Sequence, residues 1–151
     1  MITTERADTQ SAGRQRTIDQ VLESARRRIV RLTPAEAQQA WHTGAVLVDI
    51  RPTAQREAEG LLPGALIIER NVLEWRFDPS SDTRLPIADY DLQVIVVCQE
   101  GYTSSLAAAS LQDLGIHQAT DVIGGYAAWR ELLRKVPRCV SQHRCDNAPA
   151  K

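Results

Sequence analysis

Two hydrophobic periods alternate along the 151 residues. From Thr17 onward, Ile18, Val21, Leu22, Ala25 and Ile29 recur at helical spacing, and Gln20 stands where a capping-box partner belongs. Thr33-Pro34 reads as an N-cap followed by proline at the first helical position, opening a short helix through Trp41 that stops at Gly44. The period then changes. Ala45 to Ile50 is nearly all apolar and rich in β-branched residues, which suits a parallel strand covered on both faces, and Gln93 to Cys98 repeats that character. Between them, Gly60 to Gly64 predicts a turn, Leu66 to Ile68 a short strand, Val72 to Arg76 a short helix and Asp78 to Asp82 a loop. Thr103 to Leu114 predicts a helix with a small-residue face, ended by Gly115. Ala119 to Ile123 then reads as a strand, Gly124-Gly125 as a turn and Tyr126 to Arg134 as the last helix.

Strands alternating with helical segments predict an α/β fold, a central mostly parallel sheet with helices on both faces. The length fits one domain, expected over residues 17–136, with polar tails at 1–16 and 137–151. Charge changes the picture little. With 18 basic and 19 acidic residues the net charge is -1, which excludes a global field for nucleic acid or an anionic membrane, and neither partner is expected. Arg26-Arg27-Arg28 and Arg31 read as cations at a helix C-terminus on a solvated face, with docking of an acidic partner protein as the lesser reading. The apolar run Val94 to Cys98 is far short of the roughly 20 residues of a membrane helix. The N-terminal residues show no leader pattern, so a cytoplasmic location is expected, with Cys98, Cys139 and Cys145 as thiols.

In parallel sheets ligands sit beyond the carboxyl ends of the strands, where Cys98 falls, just before a helix. The loop Cys98-Gln99-Glu100-Gly101-Tyr102-Thr103-Ser104 is expected to curl so that successive backbone N–H groups and the helix N-terminus face the sulfur, favouring thiolate. Ser104, with Thr103 as a second candidate, is expected to give the thiolate or persulfide a hydroxyl hydrogen bond. The bland alternative is a cysteine acting as a small buried hydrophobe.

The Cys-x-x-Gly-x-x-Ser loop, Asp49-Ile50-Arg51 after the earlier strand, Leu62-Pro63-Gly64-Ala65, and Gly124-Gly125-x-x-x-Trp129 together resemble the rhodanese family across roughly residues 30–134. That resemblance implies a sulfurtransferase with Cys98 as its catalytic residue. The cysteine would take sulfane sulfur from a donor such as thiosulfate or a persulfide and pass it to a thiol or cyanide, or to a sulfur-relay protein, without a cofactor or metal. Family loops that use thiosulfate well carry Arg or Lys after the cysteine. Here Gln99, Glu100, Tyr102 and Thr103 hold those places, so weak thiosulfate use is expected, and Leu61 replaces the family's usual histidine.

The resemblance also implies that Arg51 pairs with Asp49 to hold the loops, in preference to binding an anion. Arg56 is the next candidate to reach the pocket, against a solvent-facing alternative. Trp75 and Arg76 are rim candidates, and Tyr126 and Trp129 core aromatics. Cys139, His143 and Cys145 fall short of a structural zinc set. A phosphatase would need an Arg about six residues after the cysteine, where Ser104 stands, and a cysteine protease would need a paired His that no motif supplies. The rival from another class is a non-catalytic module that senses oxidants or binds a partner.

Overall fold

Alternation along two central strands divides the interior in two. A computed structural model describes residues 13–136; residues 1–12 of the expected 1–16 tail and all of the expected 137–151 tail, with Cys139, His143 and Cys145, lie outside the described residues. In β1 (Val46–Asp49) and β3 (Val94–Val97), successive side chains point to opposite faces. Val48, Val94, Val96 and Cys98 enter one core and Leu47, Ile95 and Val97 the other. With β2 (Leu66–Ile67) and β4 (Thr120–Asp121) they form one four-stranded sheet, order β2-β1-β3-β4, every neighbouring pair parallel. The α/β class with a parallel sheet is therefore the architecture found.

Helices cover both faces. Against the Val94–Val96 face lie α1 (Ile18–Arg28), α4 (Leu73–Phe77) and α5 (Thr103–Asp113), and the alanines 107 and 108 let α5 approach the strands closely. Against the other face pack α2 (Pro34–His42) and α6 (Gly125–Lys135), with Trp129 and Tyr126 buried. The predicted capping box of Thr17 with Gln20 forms, and Thr33, expected as an N-cap, forms a second box with Glu36.

The predicted 119–123 strand shortens to two ladder residues, extended by a bridge from Val122 to Leu32. The predicted 72–76 helix forms as α4, entered through a 3-10 turn, Arg70–Val72. One helix escapes the sequence pattern. Helix α3 (Thr53–Glu59) follows Pro52 and has no apolar stripe, because Arg56 is its sole buried residue. Gly124 takes a left-handed φ of 75° as N-cap, and Gly125, expected in the turn, opens α6.

Candidate active site

Cys98 leaves β3 on the same side as Val94 and Val96, so its side chain is 4% exposed and touches the α5-side core. It also lines a cavity of about 350 Å³ with Arg51, Gln99, Glu100, Tyr102 and Thr103. The bland reading and the chemical one thus meet in a single side chain, packed on one flank and open to a cavity on the other.

The expected ring of amides takes a narrower form. Among the described residues, the Gly101 N–H donates to Cys98 Sγ at 3.2 Å and is the loop amide that reaches it. The other loop peptides are turned by their carbonyls. The first amides of α6 hold two of them, Tyr126 N–H donating to the Cys98 carbonyl at 2.8 Å and Ala127 N–H to that of Gln99 at 3.0 Å. Arg26 and Arg31 both donate to the Gly101 carbonyl, at 2.8 and 2.9 Å. N–H and C=O point in opposite directions across a trans peptide, so the N–H groups of Gln99, Glu100 and Tyr102 are turned away from these anchors. They have no partner among the described residues. Three open donors on the cavity-lining loop are a feature of anion-holding nests. Close stacking sets the loop's height. A Cβ on Gly101, at φ 82°, would meet Gly124 N at 2.8 Å, and one on Gly125 would overlap the Cys98 carbonyl.

Toward the thiol form of Cys98, Ser104 has the acceptor's role. Its hydroxyl has one proton, and that proton goes to the carboxylate of Asp121, which can only accept, at 2.8 Å. Ser104 Oγ therefore accepts from the Cys98 thiol at 3.2 Å instead of donating to it. Ser105 gives Asp121 a second hydroxyl at 2.7 Å, and Arg31 a two-pronged ion pair at 2.8 and 3.1 Å. Thr103 is exposed at the start of α5, on the cavity wall.

On the opposite flank Arg51 is wholly buried and fully engaged. It grips Asp49 through Nε at 3.0 Å and Nη2 at 2.8 Å, donates to Gln99 Oε1 at 3.2 Å and the Gly60 carbonyl at 2.9 Å, and lies 3.8 Å from the Tyr126 ring centroid. It forms a wall of the cavity and leaves no uncommitted charge. Arg56 does neither of the things expected: it is buried, not solvent-facing, and turns back to the Arg51 carbonyl and to Thr53 Oγ1 at 3.0 Å, away from the cavity lining. Trp75 is 60% exposed, and neither it nor Arg76 lines the cavity. Glu100 and Tyr102 are exposed on the mouth side.

The residues missed from the sequence are Asp121, Ser105, Arg26 and Arg31. An aspartate in an apolar strand segment signals a buried charge that needs a partner. Nothing local says that the partner is Arg31, 90 positions away. The solvated-face reading of the arginine stretch is corrected for Arg26 and Arg31, whose guanidinium groups reach the back of the loop, while Arg27 keeps an exposed i,i+4 pair with Glu23. Among the described residues no cluster of ligating side chains could hold a metal ion, and no helix is long and apolar enough to cross a membrane.

Comparison with known proteins adds a second line of observation. Residues 33–132 match the model of the rhodanese-like domain. The chain is 33% identical over 100 residues to the thiosulfate sulfurtransferase GlpE of Pseudomonas savastanoi pv. phaseolicola, covering 66% of this chain and 86% of that one. It is 35% identical over 103 residues to the thiosulfate sulfurtransferase GlpE of Pseudomonas fluorescens, covering 66% and 84%. Among solved structures, a protein of unknown function and possible tyrosine phosphatase from Rhodopseudomonas palustris superposes with a TM-score of 0.72 at 34% identity, covering 78% of this chain and 92% of that one. The human single-domain sulfurtransferase TSTD1 shares the fold, with a TM-score of 0.54 at 24% identity over 70% of this chain and 96% of that one.

Proposed function

The chain belongs to the rhodanese-like domain family, and on that premise we propose that it is a sulfurtransferase carrying sulfane sulfur as a persulfide on Cys98. The observation that carries this reading is the position of Cys98 Sγ, on a cavity, 3.2 Å from the Gly101 N–H and on a loop with three further unpartnered amides. A persulfide terminus is an anion, and oriented amides supply partial positive charge without a formal cation.

With a small persulfide donor the first step balances as follows. Sγ attacks the outer sulfur of R–S–S⁻, the donor S–S bond breaks, the thiol proton goes to the departing sulfur, and Cys98–S–S⁻ and R–SH result. An acceptor thiolate or cyanide then takes the outer sulfur and leaves Cys98 as thiolate. Thiosulfate can serve the same step from the thiolate, releasing sulfite. It is the poorer donor here, because Glu100 lies on the cavity wall and the cavity's one arginine is spent on Asp49. Phosphoryl transfer lacks its cation, since the position that would carry the closing arginine holds Ser104, buried and bonded to Asp121.

Intact-mass measurement after incubation with glutathione persulfide tests the reading. One added sulfur is expected, absent in Cys98→Ser. Oxygen adducts alone, after exposure to both donor and peroxide, would leave an oxidant sensor in place of the transferase.

A further inference from the structure

Behind the nucleophile runs a chain of four side chains with a fixed direction: the thiol of Cys98 donates to Ser104 Oγ, Ser104 donates to Asp121 Oδ2, and Arg31 holds Asp121 from the far side. Cys98, Ser104 and Asp121 are buried, so water does not readily substitute for any of these partners. Asp121 is over-supplied with donors. Without Ser104 it would keep the Ser105 hydroxyl at 2.7 Å and Arg31 at 2.8 and 3.1 Å. Ser104 can therefore leave Asp121 without stranding a buried charge.

We propose that Asp121 is a positioning residue that holds Cys98 in its thiol form by taking the Ser104 hydroxyl proton, and that Ser104 turns from Asp121 to the sulfur when the thiolate is made. In the resting arrangement Ser104 presents a lone pair to the sulfur, which matches S–H and repels S⁻. When the S–H bond breaks, its proton passing to solvent base or to the departing donor sulfur, rotation about the Ser104 Cβ–Oγ bond gives the new anion a second donor beside the Gly101 amide. No other bond breaks. The hydroxyl is thus a two-position element whose rest position is set from a residue that never touches substrate. The consequence for the reaction rests on the sulfurtransferase reading, but the hydrogen-bond switch does not.

Other charged and titratable groups sit on the elements packed around Cys98: Glu100 and Tyr102 on its loop, Asp49 and Arg51 at the end of β1, Arg26 on α1, and Tyr126 on α6. None of these is replaced in the variants below; only Ser105→Ala removes a partner from one of them, the Ser105 hydroxyl that accepts from Arg26 Nε at 3.2 Å, and Arg26 keeps its bond to the Gly101 carbonyl.

The test is the pH dependence of iodoacetamide alkylation, followed by mass spectrometry at the Cys98 peptide in the full chain. Asp121→Asn is expected to move the alkylation midpoint down by about one pH unit, since both the competing acceptor's charge and its grip on Ser104 weaken. In a Ser104→Ala background the same substitution is expected to move it by less than half as much. An equal shift in both backgrounds would mean a through-space charge effect and overturn the proposal, as would no shift. Ser105→Ala keeps the Asp121–Arg31 pair, serves if Asp121→Asn does not fold, and has the opposite sign. With one hydroxyl fewer on Oδ2, Ser104 is held more tightly, and the midpoint should rise by a few tenths of a unit; a fall or no change overturns the idea. Ser104→Thr should restore the wild-type midpoint, and failure to do so counts against a hydroxyl switch. Alkylation requires no sulfur donor, so unchanged midpoints sink the switch and leave the transferase standing, whereas shifted midpoints with no sulfur gained at Cys98 do the reverse.

Discussion

Two aspartate–arginine pairs, one wholly buried and one part-buried, flank the cysteine loop, and they differ in how they are wired. On the β1 side, Asp49 and Arg51 are two residues apart, and both are at or below 1% exposure. Arg51 carries the interactions: it binds Asp49, Gln99 and the Gly60 carbonyl, and stacks on Tyr126. On the β4 side Asp121 and Arg31 are 90 positions apart in sequence, and Arg31 keeps 16% of its side chain exposed. There Asp121 is the better-served partner, with two serine hydroxyls besides the arginine. The first pair is a strut whose members depend on each other. The second is a hub that survives the loss of one spoke, and it is the one connected to the thiol.

The largest expected effect exploits that asymmetry. Asp49→Ala leaves a fully buried guanidinium without its carboxylate and should cost about 3–5 kcal/mol in urea unfolding. Arg31→Ala leaves Asp121 two hydroxyl donors, and should cost about 1–3 kcal/mol. Equal losses, or a larger loss for Arg31, would remove the distinction between strut and hub.

The same asymmetry explains what the sequence could disclose. Asp49-Ile50-Arg51 is a local motif, and the apolar runs around Val48 and Val96 announce two strands and their burial directly. Cys98 at the end of such a run follows from topology alone. Arg31 and Asp121 were not legible as a pair, because their partnership depends on the bridge between Leu32 and Val122, which brings the two segments together only in the folded sheet. Three consecutive arginines at a helix end look like solvated charge, and two of the cations in that stretch, Arg26 and Arg31, instead cross to the Gly101 carbonyl. The direction of the Cys98–Ser104 bond was hidden for the same reason: it is fixed by a third residue, Asp121. Helix α3 lacked a signal of a different kind, since its buried side chain is an arginine and no apolar period marks it.

Because both flanking arginines are committed, a cation added at the mouth would be the first one free to meet a donor. Glu100→Arg exchanges an exposed negative charge on the cavity wall for a positive one. Thiosulfate kcat/KM should rise roughly threefold to tenfold at low salt and the gain should shrink as salt screens it. Transfer from a less charged persulfide donor should change less. A gain that is equal for both donors, or insensitive to salt, would show that the committed state of Arg51 and Arg31 does not limit donor choice.

A third acid–base pair, outside the loop, sets the scale for the other two. Arg70 and Glu74 are i,i+4 neighbours with Nη1–Oε1 at 2.7 Å, and their side chains keep 37% and 21% exposure; Ser110 on α5 adds a hydroxyl to Glu74 at 2.8 Å. Burial pushes the Glu74 carboxyl up, but the Ser110 hydroxyl, a backbone amide and Arg70 together hold it below its usual value of 4.5. A carboxyl depressed in the folded state stabilises the fold above its unfolded value and loses that contribution as pH falls through the folded one. Wild type should therefore exceed Glu74→Gln by a few tenths of a kcal/mol near neutral pH, a small figure because water screens the pair. The difference should close as pH drops below 4.5. Urea titrations at a series of pH values check this, and a gap that persists into that acidic range would mean that Glu74 acts through packing against α5 and not through its charge. The buried strut at Asp49 should show a loss many times larger at neutral pH, since desolvation, and not the number of partners, separates the two kinds of pair.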